Sequence, residues 1–458
     1  MRLRVRRSGP LRGDLGVPGD KSVSHRALIL AALADGETVV DGFSGGEDNQ
    51  RTAAALRAMG VDVAEGGDRV RVRGVGLHGL RPAADVLDCG NSGTTMRLLC
   101  GLLCGQGFAA RLDGDETLRR RPMRRVAEPL ERMGGRLRGA PGARPGDLYA
   151  PLVVDGLAPG TRLAAIDYAL PVASAQVKGA VLLAGLFARG VTRVRERGPA
   201  RDHTDRMMAY LGLPLRRTPG APSGGGGQGW PPPWAAAEID GGAAGRFAAR
   251  PITVPGDLSS AAFLLAAAAL VPGSRVRVRG CGVNPTRSGI LDVLARMGVA
   301  VARGAERDES GEPVADLAVA AADLGPTTVA GDLTVRAIDE VPIIAALATR
   351  AAGVTEIRDA SELRVKESDR LAVMAGELRR LGAEIEELPD GLRVAGPARL
   401  RGAACRSHGD HRIAMALAVA ALVAEGETVV EEADNIATSY PGFVDALGAL
   451  GADIRSEP

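Results

Sequence analysis

Fifty-seven residues are lysine or arginine, and only three of them are lysine: Lys21, Lys178 and Lys366, leaving 54 arginines. Arginine replaces lysine on a solvated face at little cost, but not where a compact point charge or a titratable amine is required. Each surviving lysine is therefore a site candidate before any motif is considered. Lys21 lies in VPGDKSVSHR, a glycine turn that opens an apolar run. Such a turn aims free N–H groups beyond the helix N-terminus, where anions bind readily. Lys21, Ser22 and Arg26 would add an ammonium, a hydroxyl and a guanidinium there. The spacing of a nucleotide-triphosphate loop is missing, because Asp20 separates Gly19 from Lys21. From this segment alone, an ordinary capped helix with a solvated basic end fits equally well.

GNSGTTMR repeats the design, with Asn91, Ser92 and Gly93 at a helix entry and Arg97 one turn inside. GDETLRRRPM holds Arg119, Arg120 and Arg121 before Pro122. Runs of arginine usually form a solvated edge, but a turn stiffened by proline could fix one of them inward to fork a carboxylate or phosphate. PVASAQVKGA places Ser174, Gln176 and Lys178 at another helix start, where hydroxyl and amide groups read a polyol. ARDHTDRM adds Arg201, and its His203 reads as a local structural partner rather than a base. RVKESDR packs Arg364, Lys366, Glu367, Asp369 and Arg370 together, IDEVP supplies Asp339 and Glu340, and HGDHRIAMA supplies His408, Asp410, His411 and Arg412. His408 and His411 are three apart, but no third ligand has suitable spacing, so no metal is expected. Cations recurring at helix entries, with two carboxylates for proton transfer, suit a small substrate pair carrying several phosphate and carboxylate groups.

The elements that must position these residues recur about six times. Each unit runs a small-residue turn, an apolar helix, a short β-branched strand and a second helix. The second helices end in Met59-Gly60, Met133-Gly134, Leu211-Gly212, Met297-Gly298, Leu381-Gly382 and Leu450-Gly451. Glycine after the last apolar turn is a helix C-cap signal. The pattern predicts an α/β protein of six βαβαββ-like modules, three per domain. At 458 residues the chain exceeds what one core supports, so two domains with a cleft between them are expected. One would comprise residues 1–19 and 253–458, the other residues 20–252, with crossovers near Pro18–Asp20 and Ile252–Gly256. The Gly/Pro-rich stretch 218–237, holding both tryptophans, reads as a flexible surface loop.

Composition sets outer limits. The chain is 45% hydrophobic and 24% charged with a net charge of +2, which suits a globular protein and gives no global field for nucleic acid or a membrane surface. Aromatic content of 3% also argues against an RNA-terminus enzyme. The basic start lacks the apolar run of a secretory signal, and no stretch is long enough to span a bilayer. Five cysteines without a C-x-x-C pair read as buried small hydrophobes in a reducing cytoplasm.

GDKSVSHRALILAALADGET, GNSGTTMRL, GDETLRRRPM, SAQVKGA, RDHTDRM, GDLSSAAF, NPTRSGILDVLARMG, RVKESDRL and GDHRIAMA closely resemble the 5-enolpyruvylshikimate-3-phosphate synthase family, in its order and over nearly the whole chain. The resemblance implies a two-domain inverse α/β barrel-like fold. It also implies transfer of the enolpyruvyl group of phosphoenolpyruvate to the 5-hydroxyl of shikimate 3-phosphate, by addition then elimination, without metal or organic cofactor. Glyphosate is the family's inhibitor and takes the phosphoenolpyruvate pocket. Carried over, Lys21, Ser22, Arg26, Ser174, Ala175 (through backbone), Gln176, Arg201, Asp339 and Lys366 would contact shikimate 3-phosphate. Lys21, Gly93, Arg121, Gln176, Arg370 and Arg412 would contact phosphoenolpyruvate. Asp339 would handle the hydroxyl proton and Glu367 the methylene proton, with Lys21 near both substrates. Two positions depart from some members: ATSYPGF lacks a lysine, and Ala175 stands where a second serine occurs. Rival readings are the UDP-N-acetylglucosamine enolpyruvyl transferase, which uses a cysteine absent from these motifs, and a non-catalytic anion-binding relative. A monomer with no nucleic-acid or membrane partner is expected.

Overall fold

The computed structural model describes residues 1–142, 145–196, 198–219 and 234–458. They form two compact units. The first comprises Met1–Pro18, Pro255–Arg307 and Pro313–Pro458, and the second Gly19–Val254 and Asp308–Glu312. The short segment Asp308–Glu312, assigned from sequence to the C-terminal half, clusters with the second unit.

In the second unit the strand Asp35–Asp41 pairs in parallel with Ile252–Thr253 and antiparallel with Arg69–Val75, which pairs in turn with Asp62–Gly66. The same order recurs around Ala110–Asp113 and Val191–Arg195. It recurs again in the first unit around Arg275–Gly282, Gly353–Ile357 and Glu427–Glu431. Each of these sheets has a parallel edge strand, a central strand and then two further strands, each antiparallel to the one before it, and the Arg275–Gly282 sheet carries an extra strand, Arg307–Glu309. These are the six βαβαββ modules read from the repeat, three in each unit.

In each module a buried helix precedes the central strand: Lys21–Leu33, Gly93–Leu103 and Ala175–Gly185 in the second unit, and Leu258–Leu270, Val341–Ala348 and His411–Ala421 in the first. All of Leu258–Leu270 is buried, as expected of a helix that is apolar all round. Small residues let these helices approach closely. A Cβ on Gly101 would lie 2.2 Å from the Ala180 carbonyl oxygen, so a side chain there would force the Gly93–Leu103 and Ala175–Gly185 helices apart. Side-chain caps start five of the six: Asp20, Ser92, Ser174, Asp257 and Asp410 each accept a backbone N–H of the first turn.

The second helix of every module stops as the terminal pairs predict. Gly60, Gly134, Gly212, Gly298, Gly382 and Gly451 all have φ between +76° and +99°. In each, the glycine N–H and the next N–H bond back to carbonyls of the last turn, as in Gly60 to Arg57 and Val61 to Leu56.

The stretch 218–237 departs from expectation at its ends. Leu215–Pro219 and Trp234–Asp240 are antiparallel partners in the third sheet of the second unit. Backbone pairing there outweighs a composition that suggests a loop, and the part between, 220–233, lies outside the described residues. All five cysteines are buried and free. No helix among the described residues is long and apolar enough to cross a membrane.

Candidate active site

Three helix entries of the second unit carry its predicted residues. Lys21 is the first residue of its helix, just after the cap Asp20, and its Nζ lies 2.9 Å from Asp48. Arg26, one turn on, is buried and ties two entries together. Its Nε donates to Thr204 Oγ1 at 2.6 Å, Nη1 to the Ser22 carbonyl at 2.8 Å and Nη2 to the Ala175 carbonyl at 3.4 Å. Burial pushes its guanidinium down to about 10, against the pull of Asp20 and Asp205 and with a further push from the nearby Arg201. Ser22, Arg26, Ala175 and Arg201 thus share one basic corner.

A second corner forms around Gly93. A Cβ there would stand 2.8 Å from Arg97 Nη1 and 3.0 Å from Arg121 Cζ, so the bare Cα is what admits the two guanidiniums. Arg121 donates to the Asn91 carbonyl at 3.3 Å. Arg97 donates to Gln176 Oε1 at 2.6 Å and to the Pro122 carbonyl at 3.2 Å, and Gln176 Nε2 donates to Thr94 at 2.9 Å. Arg119 and Arg120 instead face solvent, paired with Asp113 and Glu116. Of the three-arginine run, Arg121 is the one turned inward.

The first unit gathers Asp339, Lys366, Glu367, Arg370 and Arg412 into a single cluster. The Asp339 carboxylate lies 3.6 Å from Arg370, 3.8 Å from Lys366 and 4.0 Å from Arg412. Arg412 also donates to the Asp339 carbonyl at 3.2 Å. Arg370 is buried and donates to Glu367 at 2.7 Å and, through Nε, to Asp410 at 2.7 Å. Burial alone would lower the Arg370 pKa, but Asp410, Glu367 and Asp339 outweigh it and raise it. Lys366 goes the other way: burial, with a smaller push from Arg370, lowers it against the pull of Asp339. Asp410 sets the geometry twice, as the cap that accepts from Arg412 N at 2.9 Å and as the acceptor for Arg370.

Lys178 needs correction as a site candidate. It is buried one turn inside its helix, with Nζ 2.5 Å from both Glu196 and Asp205. Its survival reflects a buried ion triad. His203 is a structural partner, with Nδ1 2.8 Å from Glu312. His408 contacts Glu377 at 3.3 Å, and among the described residues no group of three or more His, Cys, Asp or Glu is arranged to hold a metal. Sequence reasoning missed Asp48, Thr94, Thr204, Glu196 and Asp205. Their partners lie on other elements, and no local spacing marks them.

Residues 5–447 match the family model described as EPSP synthase (3-phosphoshikimate 1-carboxyvinyltransferase). The chain is 50% identical over 440 residues to the 3-phosphoshikimate 1-carboxyvinyltransferase of Geobacter sp. (strain M21), covering 96% of this chain and 97% of that one. It is 51% identical over 448 residues to the enzyme of the same name from Gloeobacter violaceus, covering 96% of each. Among solved structures, EPSP synthase from Acinetobacter baumannii superposes with a TM-score of 0.84 at 37% identity, over 100% of both chains.

Proposed function

The chain belongs to the EPSP synthase family, and from that premise we propose which of its residues carry the reaction. The chain transfers the enolpyruvyl (1-carboxyvinyl) group of phosphoenolpyruvate to the 5-hydroxyl of shikimate 3-phosphate, releasing phosphate, a step of aromatic amino acid biosynthesis. In the proposed division of roles, Lys21, Ser22, Arg26, Ser174, Ala175, Gln176 and Arg201, with Asp339 and Lys366, bind shikimate 3-phosphate. Lys21, Gly93, Arg121, Gln176, Arg370 and Arg412 bind phosphoenolpyruvate. The guanidiniums fork its phosphate and carboxylate oxygens, for which planar paired donors suit best.

One observation carries the chemical roles: the Asp339 carboxylate lies within 4.0 Å of three cations. Cations that close favour the carboxylate form, which is the form that accepts a proton. Asp339 takes the 5-hydroxyl proton as the oxygen bonds C2 of phosphoenolpyruvate, while Glu367 protonates C3. The tetrahedral adduct then loses phosphate from C2 and a proton from C3, restoring the double bond. Arg370 pairs with Glu367 at 2.7 Å and favours its anion, so the negative charge of bound substrate is what lets Glu367 hold a proton. We also take the chain to act as a monomer. The large hydrophobics exposed among the described residues are five valines, with no exposed leucine, isoleucine, phenylalanine or tryptophan among them, and sedimentation would test this.

The test of the function is phosphate release from phosphoenolpyruvate, expected to require shikimate 3-phosphate. Release supported by UDP-N-acetylglucosamine instead would reassign the substrate, and no release with either would point to a non-catalytic relative. Asp339→Asn should abolish most of the release.

A further inference from the structure

Lys178 lies one turn after Ser174 in the helix Ala175–Gly185, its N–H bonded to the Ser174 carbonyl at 3.0 Å. Its ammonium is enclosed, 1% exposed, between Glu196 Oε1 and Asp205 Oδ2, each at 2.5 Å. Glu196 directly follows the strand Val191–Arg195. Its second oxygen accepts the Ala200 N–H at 3.0 Å. Asp205 is in the helix His203–Tyr210. One ammonium therefore joins the helix entry that bears Ser174 and Gln176 to both sides of Arg201.

We propose that Lys178, Glu196 and Asp205 are positioning residues that hold Ser174, Gln176 and Arg201 in register for shikimate 3-phosphate, a reading that rests on the assignment of those three contacts above. Three features support it. The two carboxylates meet on one ammonium at 2.5 Å each, a geometry that suits a compact head with three rotatable donors better than the fixed fork of a guanidinium. That accounts for a lysine here in a chain that holds only two others. The two helices also pack closely. A Cβ on Gly179 would lie 2.8 Å from Thr204 Oγ1, and Thr204 is itself the acceptor for Arg26. Finally, Asp205 pulls on the Arg26 guanidinium, which Arg201 pushes down. Asp205 thereby offsets part of the repulsion between the two cations.

Burial alone would drive the Lys178 ammonium down, but Asp205 and Glu196 outweigh it and raise it. Glu196 is pushed up by burial to about 7 against the pull of Lys178. The lysine end of the triad therefore stays charged, and Glu196 is the member that can be removed with least disturbance. Glu196→Ala leaves the neutral pair Lys178–Asp205 and frees only the Ala200 N–H and the chain beside Arg201.

The experiment measures steady-state constants for Glu196→Ala, Lys178→Arg and, as a reference, Arg201→Ala, with thermal melts to confirm folding. Losing a hydrogen bond to a charged group that orders a ligand contact costs roughly tenfold in affinity. Glu196→Ala and Lys178→Arg should each raise the Michaelis constant for shikimate 3-phosphate by about that factor, and that for phosphoenolpyruvate by less. If Lys178→Arg fails to fold, Glu196→Ala decides. An unchanged constant for shikimate 3-phosphate in Glu196→Ala, or an equal rise for both substrates, overturns the positioning role while Arg201→Ala still shows its defect. If Arg201→Ala itself leaves shikimate 3-phosphate binding unchanged, the contact assignment falls and the proposal falls with it.

Discussion

Arg370, the first residue of its helix, donates at 2.7 Å to the carboxylate of Glu367, three positions earlier in the chain. The residue assigned to protonate carbon is thus tied to a buried guanidinium that favours its anion. Substrate must change that balance before Glu367 can act as an acid. Glu367→Gln should lower kcat by roughly two to four decades, the usual worth of a general acid or base. The dissociation constant for shikimate 3-phosphate, measured by calorimetry, should stay near the wild-type value. Normal turnover with weakened binding would make Glu367 a structural residue.

Lys21 offers a test in which charge is kept. Its Nζ sits 2.9 Å from Asp48 with only 15% of the side chain exposed. A guanidinium there would meet Asp48 as a fork and sit farther out, displacing the positive charge from both substrates. Lys21→Arg should lose roughly a hundredfold in kcat, the scale of a 1 Å misplacement. Wild-type turnover in that variant would show that any cation serves.

Gly93 bears on inhibition. A methyl group there meets Arg97 Nη1 at 2.8 Å and Arg121 Cζ at 3.0 Å, and both are ends of long side chains that can shift. Gly93→Ala should therefore fold normally and move Arg121. A one-methyl clash in a packed site costs about 1–3 kcal/mol. Glyphosate is longer than phosphoenolpyruvate, so its inhibition constant should rise more than the Michaelis constant for phosphoenolpyruvate. Inhibition assays on the two proteins check this, and equal inhibition constants would refute the steric account.

Stability should carry the mark of the Lys178 triad. Burial raises Glu196 from 4.5 to about 7, so the folded protein binds this proton more tightly than the unfolded chain. Its contribution is fully present below about 4.5 and is lost as pH rises through about 7. Denaturant melts across that window should show stability falling with pH from this group. Glu196→Gln, which carries no titrating carboxyl, should flatten that part of the profile; an unchanged slope would place the titration elsewhere.

Much of the fold was legible because its decisive signals are local. The six glycines after the second helices were identifiable from two-residue pairs, since a positive φ is a property of one residue and its neighbours. The entries at Lys21, Gly93 and Ser174 were legible for the same reason: a small-residue turn and a cap precede each apolar run. The five-residue cluster of the first unit was legible only as three separate motifs, and Asp339, Arg370 and Arg412 meet because three helices begin at one place. What stayed hidden depends on long-range pairing. Nothing near Lys178 in sequence announces Glu196 and Asp205, 18 and 27 positions away. The run Arg119–Arg121 gives no sign of which member turns inward. Trp234–Ala237 looked like loop because Gly/Pro composition precedes it, whereas its strand is defined by a partner across the sheet.

The modules are not contiguous stretches of chain. Arg2–Arg6 fills a place between Glu427–Glu431 and Ile454–Glu457, and Ile252–Thr253 returns to complete the sheet of Asp35–Asp41. Residues 19–254 carry nearly all the sheet partners of their unit in one continuous stretch of chain, with only Asp308–Glu312 to follow. The strand Arg2–Arg6 has the opposite history. It leaves the ribosome with both edges bare and waits through more than 400 further residues for Val430 to pair with Leu3. Its exposed faces alternate arginine, Arg2, Arg4 and Arg6, and charge on an unpaired edge discourages the wrong strand from taking the place. The basic leading segment is then a safeguard during synthesis, and Arg4 keeps it in place afterwards by bonding Glu427 and Glu457 at 2.7 Å each.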